Sequence, residues 1–514
     1  MIPNMALMDS TWQNVTDPIF HFAATRPEAP ALIEGHRTIN YRDLASLVAK
    51  ASVYHANLGI EPGQRVCVSM TNSINHFVLS LGLLRLGATL MAAPYTPQQP
   101  PAITTLAKFG IRMIFLEPGV PAPTGYRSMT VEPSTWLDNI AKLSGDRRFN
   151  GSGDEIYTIS LTSGTTGTPK GSLTSHLQYF TRLRAYTELL GDSGVFSDDN
   201  PANFLLTANV GFTTFFRRMV SHLMIGGPVV ILPEYLHVID LVKAIASWEN
   251  ALCFVPSAMC RVLSACAPAE GLLFPKLRVL AAGGGALYAE DKLRVLSHVT
   301  PNFYEFYGAS GFGTLSVLPP SVMREKADSV GHAPSFVEVE VVDTQGNRLP
   351  SGVVGRLRCR GSESKGFAAE NDVEGDERFR DGWYYPGDIG YLDAQGYIFI
   401  KGRTVDLIQR PGGDIYSSDI EAVIAQHPTV QEVAAVGLPR ASGPGEEIVA
   451  VVVTRGEAQH EALAQHCRTK LPPERWPDRV FYTQSLPKTP GGKLDRMQVK
   501  SMANVEIKRR AGLV

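Results

Sequence analysis

Helical and strand-like periods follow one another along this chain, and that alternation restricts its fold more than any other feature. Tyr41–Asn57 places apolar residues at helical spacing, residues 65–70 read as a short apolar strand, and residues 73–86 are helical again. Further strand-like runs at residues 203–206, 229–232, 251–255 and 278–282 stand apart, separated by longer polar or helical stretches. A helix between successive strands predicts layered α/β sheets whose strands are mainly parallel. Residues 336–342 and 355–359 predict a smaller β-rich part. After Gly402 the texture changes to a compact α+β unit, with a helix near 418–426 and strands near 433–437 and 448–453. At 514 residues the chain exceeds what one hydrophobic core organises. The expected division is a large N-terminal domain over residues 1–402 and a small mobile C-terminal domain over 403–514, hinged at residues 403–406.

Charge narrows the partners. Lysine and arginine number 48 against 50 acids, a net charge of −2, so no long-range field draws the chain to nucleic acid or to an anionic membrane. The N-terminus lacks a basic stretch leading into an apolar one, and no run of about 18 apolar residues occurs, so the expectation is a soluble cytoplasmic protein. Six cysteines (67, 253, 260, 266, 359 and 467) occur without a Cys-x-x-Cys pair, which argues against a zinc site and a disulfide framework.

One segment is chemically pointed. Leu161-Thr162-Ser163-Gly164-Thr165-Thr166-Gly167-Thr168-Pro169-Lys170-Gly171 packs hydroxyls, glycines and one lysine into a turn after a strand-like run. Glycines let backbone approach an anion, hydroxyls and exposed amides donate to it, and Lys170 adds a positive charge. It reads as a phosphate cradle. The spacing is not that of a Walker A loop, because Lys170 follows Thr168-Pro169 and precedes Gly171.

Thr162 to Gly171 resembles the phosphate loop of the adenylate-forming superfamily of acyl-CoA synthetases, adenylation domains and luciferases. Tyr41-Arg42-Asp43-Leu44, Leu58-Gly59, Pro62-Gly63-Gln64-Arg65-Val66, Asn72 and Gly87-Ala88 precede it in the family's order. Gly283-Gly284-Gly285-Ala286 and Tyr307-Gly308-Ala309-Ser310 are similar to the adenine-side motifs. Asp381-Gly382-Trp383-Tyr384-Tyr385-Pro386-Gly387-Asp388 is similar to the aspartate motif, and Gly402-Arg403 and Pro487-Lys488-Thr489-Pro490-Gly491-Gly492-Lys493 complete the series.

The resemblance implies an ATP-dependent ligase that joins a carboxylic acid to AMP and passes the acyl group to coenzyme A, or to a carrier protein in trans. Lys493 then bridges the carboxylate and the α-phosphate, where the shared negative charge of the two reactants makes screening the main task. An ionised Asp388 suits both ribose hydroxyls, with Arg403 as its partner. Residues Gly283, Gly284 and Gly285 approach a flat ring, and Tyr307 stacks on adenine or else is a core tyrosine. Pro411-Gly412-Gly413 lines a pantetheine channel or is a plain turn.

The chain departs from the family in three places. Gly311 replaces the glutamate that usually helps hold Mg²⁺, leaving phosphate oxygens, waters and a loop hydroxyl for the ion, and leaving open a nucleotide-binding homologue without turnover. Pro386 replaces a threonine, and Val405 stands where a polar hinge residue is common. For the acyl pocket the local candidates are Gly211, Phe212 and Phe215, within an apolar aromatic run that also suits a core helix. No aspartate for a substrate ammonium appears there, so an acid without an α-amino group is expected. Arg217 and Arg218 are expected to cover a helix surface, with pairing to a second substrate carboxylate as the alternative. His176 and His222 lack metal-ligand spacing and are expected to be structural.

Overall fold

The structure is a computed structural model that describes residues 11–144, 149, 151–162, 170–196, 200–234, 237–309, 312–361, 378–411, 413–440, 442–488 and 494–510. Two sheets carry the N-terminal part. The first has six strands, in spatial order Arg127–Thr130, Met113–Leu116, Arg65–Ser69, Thr89–Ala92, Ile156–Thr162 and Lys170–Ser175. Its pairs are parallel except the last, which is an antiparallel hairpin. The second has eight strands, and the runs at Asn203–Leu206, Val229–Ile231, Ala251–Pro256 and Val279–Gly283 sit together in its parallel centre. Antiparallel strands close its two edges, Arg37–Asn40 on one side and Gly313–Leu318 on the other.

The helix Ile74–Leu86 is buried along its whole length, so the sequence there is apolar on every side rather than on one stripe. Ser73 starts it by accepting from the His76 amide at 3.2 Å, and Asn40 starts Tyr41–Asn57 by accepting from Asp43 at 2.8 Å. One continuous core runs from Val66 and Phe115 on the first sheet, through Phe77 and Phe216 on helices, to Phe204 on the second. Burial on this scale, at about 25 cal/mol per Å² of apolar surface, is what holds the two sheets against each other.

A third, antiparallel sheet forms the β-rich part: Val337–Val342, Gly355–Gly361, Trp383–Tyr384, Asp388–Leu392 and Ile398–Arg403. A short 3-10 turn, Thr404–Asp406, leads out of its last strand. Beyond it lie the hairpin Leu407–Arg410 with Gly413–Tyr416 and a sheet of Val430–Pro439, Glu446–Thr454 and Arg479–Tyr482. The helices Ser417–Ile424, His460–Lys470 and Arg496–Arg510 accompany that sheet. Among the described residues, no helix is long and apolar enough to cross a membrane.

Candidate functional site

The phosphate-loop candidate closes a hairpin: Ile156–Thr162 and Lys170–Ser175 pair antiparallel, and Thr162 stands opposite Lys170 in the register. Ser163, Gly164, Thr165, Thr166 and Gly167 lie outside the described residues, as do Ser310, Gly311 and Lys493. The hairpin runs beside Thr89–Ala92 in the first sheet, with Thr158 Oγ1 donating to the Leu90 carbonyl at 3.0 Å.

On the second sheet the adenine-side motifs stand at the carboxyl ends of neighbouring parallel strands, the edge where open α/β sheets bind ligands. Gly283 ends its strand opposite Phe306, and a Cβ there would stand 2.5 Å from the Phe306 carbonyl oxygen. Only glycine permits that approach. Gly284 follows at φ 87°, and Ser257 Oγ donates to the Gly285 carbonyl at 2.9 Å, fixing the turn. Tyr307, Gly308 and Ala309 continue the adjacent strand Phe303–Ala309. That strand is anchored by a buried ion pair, Lys292 Nζ to Glu305 Oε2 at 2.5 Å, with the same ammonium donating to the Ser329 carbonyl at 2.8 Å.

Tyr307 connects this edge to the third sheet. Its hydroxyl donates to Asp388 Oδ2 at 2.5 Å, and burial followed by the neighbouring Asp388 charge pushes its pKa up, so the phenol keeps its proton. Asp388 and Arg403 stand directly opposite each other across the antiparallel pair. Arg403 Nε lies 3.5 Å from Asp388 Oδ1, and its Nη2 donates to the Pro386 carbonyl at 3.2 Å. Pro386 thus supplies a backbone acceptor where the side chain offers no hydroxyl. Gly283 to Gly285, Tyr307, Asp388 and Arg403, scattered over 121 positions from 283 to 403, form one continuous patch.

Past Arg403 the 3-10 turn leaves Val405 58% exposed, whereas Asp406 pairs with Arg496 Nε at 3.3 Å. Arg496 also grips Glu421 through two nitrogens at 2.7 and 2.9 Å, tying the last helix to the helix Ser417–Ile424 as well as to the 3-10 turn. Pro411 and Gly413 lie at the tip of the hairpin whose strands pair Arg410 with Gly413, and Gly412 falls outside the described residues.

The acyl-pocket candidates divide. Gly211 packs against the Ala93–Pro94 backbone, where a side chain would collide. Phe212 is half-buried ahead of the helix Thr213–Met224, and Phe215 is buried with its ring 5.8 Å from that of Phe254, edge to face. The expectation for the two arginines is overturned. Arg217 Nη2 donates inward to Ser160 Oγ at 2.8 Å and to Thr174 Oγ1 at 3.3 Å, both on the phosphate-loop hairpin. Arg218 is 9% exposed, its guanidinium lying over the rings of Phe254 and Phe306. The helix is wedged between the two sheets, so it has no broad solvent face to offer them. Arg182, which no motif in the sequence marks out, is also buried, in the helix His176–Leu190.

His176 and His222 are structural as expected: His176 Nδ1 accepts from the Val15 amide at 3.2 Å, and His222 Nε2 bonds the Ala202 carbonyl at 2.6 Å. Burial lowers their pKa values to about 3 and about 4. The six cysteines carry free thiols. Among the described residues no group of three or more His, Cys, Asp or Glu is arranged to hold a metal ion.

The model of the AMP-binding enzyme family matches residues 19–365, and that of the AMP-binding enzyme C-terminal domain matches residues 419–493. The long-chain-fatty-acid–CoA ligase FadD13 of Mycobacterium tuberculosis is 26% identical over 500 residues, covering 92% of this chain and 95% of that protein. The fatty acid–[acyl-carrier-protein] ligase ScoC of Streptomyces coeruleorubidus is 27% identical over 509 residues, 94% of each. ATP-bound MatB from Rhodopseudomonas palustris has a similar fold, with a TM-score of 0.81 at 21% identity over 95% of this chain and 99% of that one.

Proposed function

The chain belongs to the AMP-binding, adenylate-forming enzyme family, and from that premise we propose that it is an ATP-dependent acyl-CoA ligase acting in the cytoplasm. A carboxylate oxygen of an acid without an α-amino group attacks the α-phosphorus of ATP, the bond to pyrophosphate breaks, and an acyl-adenylate forms. The thiol of coenzyme A then attacks the acyl carbon and AMP leaves.

The observation that carries this reading is the patch formed by Tyr307, Asp388 and Arg403 beside the glycine turn. Asp388 holds two oxygens toward a sugar diol, oriented from one side by a phenol and from the other by a guanidinium. Gly283 to Gly285 admit the adenine against backbone, with Tyr307, Gly308, Ala309 and Ser310 beside it. Thr162 to Gly167 and Lys170 take the phosphates, and Lys493 screens the charge that builds between carboxylate and α-phosphate. Mg²⁺ would supply further screening, held by phosphate oxygens, waters and a loop hydroxyl, since Gly311 offers no side-chain ligand. We place the domain boundary at residues 403–406, so that the turn at Val405 absorbs the rotation between adenylation and thioester formation.

Pyrophosphate release from Mg-ATP, measured against a panel of acids with and without coenzyme A, tests the reading. Release that requires one class of acid, followed by a thioester of coenzyme A, is the expected result. The name of ScoC as a carrier-protein ligase favours a second reading, in which a pantetheinylated carrier replaces coenzyme A. Adenylation with no coenzyme A thioester would select it. ATP binding with no release for any acid would mark a homologue without turnover.

A further inference from the structure

Arg218 is a cation enclosed by rings. Its guanidinium carbon lies 4.0 Å from the Phe254 centroid, 4.4 Å from that of Phe306 and 5.2 Å from that of Tyr186. Ring faces stabilise a positive charge, yet they offer no oxygen to its N–H groups. Among the described residues Arg218 enters no ion pair, its Nε is buried without a hydrogen-bond partner, and the neutral Tyr186 hydroxyl beside it brings no charge.

Burial opposes its charge. Arg182, on the neighbouring helix, has its pKa pulled to about 9 by desolvation and by Arg217, and burial pulls Arg218 down as well. A buried guanidinium such as that of Arg218 is costly until an anion joins it.

The place of Arg218 gives that anion a direction. Phe254 is the ring shared between Arg218 and Phe215, and it stands 3.4 Å from where a Gly283 side chain would begin. Arg218 is therefore one ring removed from the acyl-pocket candidate and one ring removed from the glycine turn. An acid entering between apolar rings with its reacting carboxylate at the nucleotide would bring its far end to this guanidinium.

We propose that Arg218 receives a second carboxylate on the substrate, which makes the acid a dicarboxylate with an apolar spacer. This rests on the acyl-ligase reading above. A guanidinium presents its N–H groups in a fork that matches a carboxylate, and the rings around it exclude water that would weaken the pair.

The test uses the full-length protein and pyrophosphate release from Mg-ATP, with straight-chain and aromatic dicarboxylic acids each compared with its monomethyl ester. The expected result is a diacid preferred over its ester by about 100-fold in kcat/KM, a ratio that collapses toward one in Arg218→Gln and partly recovers in Arg218→Lys. A purely structural role would lower both substrates together and leave the ratio standing, which overturns the proposal. The wild-type ratio decides the matter even where a variant fails to fold, because esters and monoacids turned over as well as diacids overturn it while leaving the ligase reading intact. No release with any acid overturns both.

The anion at Arg218 has one other source, the triphosphate of ATP. Equilibrium ATP binding without acid is expected to be equal in wild type and Arg218→Gln. Tenfold weaker ATP binding with an unchanged diacid-to-ester ratio assigns Arg218 to the nucleotide and overturns the proposal.

Discussion

The proposed ribose end and the proposed acyl end of this site are built from the same kinds of residue by opposite means. At the ribose end Asp388 is matched in the free protein, by Arg403 across one strand pair and by the Tyr307 hydroxyl from another sheet. At the acyl end Arg218 has rings in place of an acid. A matched ion pair is already stable and can orient a carboxylate toward neutral hydroxyls without needing a charged ligand. An unmatched buried cation is stabilised most by a ligand that carries the missing charge. The contrast assigns geometry to one end and charge selection to the other.

The largest expected effect falls on neither end but on the residue that serves both. Lys493→Ala should slow pyrophosphate release by about 10³-fold, the scale for removing an electrostatic stabiliser of a transition state, with an unchanged circular dichroism spectrum. A loss under tenfold would take Lys493 out of the chemistry and leave the two ends without a common centre.

Asp388→Ala comes next. Losing hydrogen bonds to a charged group costs about 1.5–3 kcal/mol, which is roughly a 10- to 100-fold weaker ATP complex. Equilibrium binding of ATP reads it directly. If ATP binds as before, the ribose end is scaffold alone and the contrast with the acyl end breaks.

Tyr307→Phe sharpens the same point at smaller scale, because it removes the phenol that donates to Asp388. A neutral donor is worth about 1 kcal/mol, so ATP affinity should fall about fivefold. Combined with Asp388→Ala the phenol should cost almost nothing more, since residues in one hydrogen-bond network are not additive. Full additivity would show that Tyr307 acts on ATP independently of Asp388.

A further prediction concerns acid sensitivity of stability rather than ligand binding. His176 opens one arginine-bearing helix and His222 lies in the other, with pKa values lowered by burial to about 3 and about 4. Below the ordinary histidine pKa of about 6.5 the unfolded chain takes up protons that the folded chain refuses. Stability is therefore lost as pH falls toward the folded values, at roughly 1.4 kcal/mol per pH unit for each histidine. Thermal midpoints recorded between pH 7 and pH 4.5 should fall, and His222→Gln should flatten the slope. A slope unchanged in that variant would remove His222 as a source of acid sensitivity.

Legibility in the residues differs between the two ends for the same reason. The motifs around Gly283, Tyr307, Asp388 and Arg403 depend on local backbone needs: a glycine where backbone meets backbone, and an acid and an arginine in register on paired strands. Such needs are written in short segments, so the residues themselves mark those positions. The strands at 203–206, 229–231, 251–256 and 279–283 are legible too, as short apolar runs between turns, although their spatial order is not. Arg218 reads as a surface residue because arginine is usually exposed. Its actual surroundings come from Tyr186, Phe254 and Phe306, three segments far apart in the chain.

The sequence by itself therefore determined the α/β layering and the motif set. Each of these depends on neighbours within a few residues or on a repeating period. The tertiary structure alone decided that Tyr307 reaches Asp388, that Asp406 meets Arg496, that Arg182 and Arg218 are buried, and that Arg217 turns inward to Ser160 and Thr174. The physical reason is that burial is a property of the assembled surfaces. A helix wedged between two sheets has no free face, and whatever charge it carries must find its compensation inside.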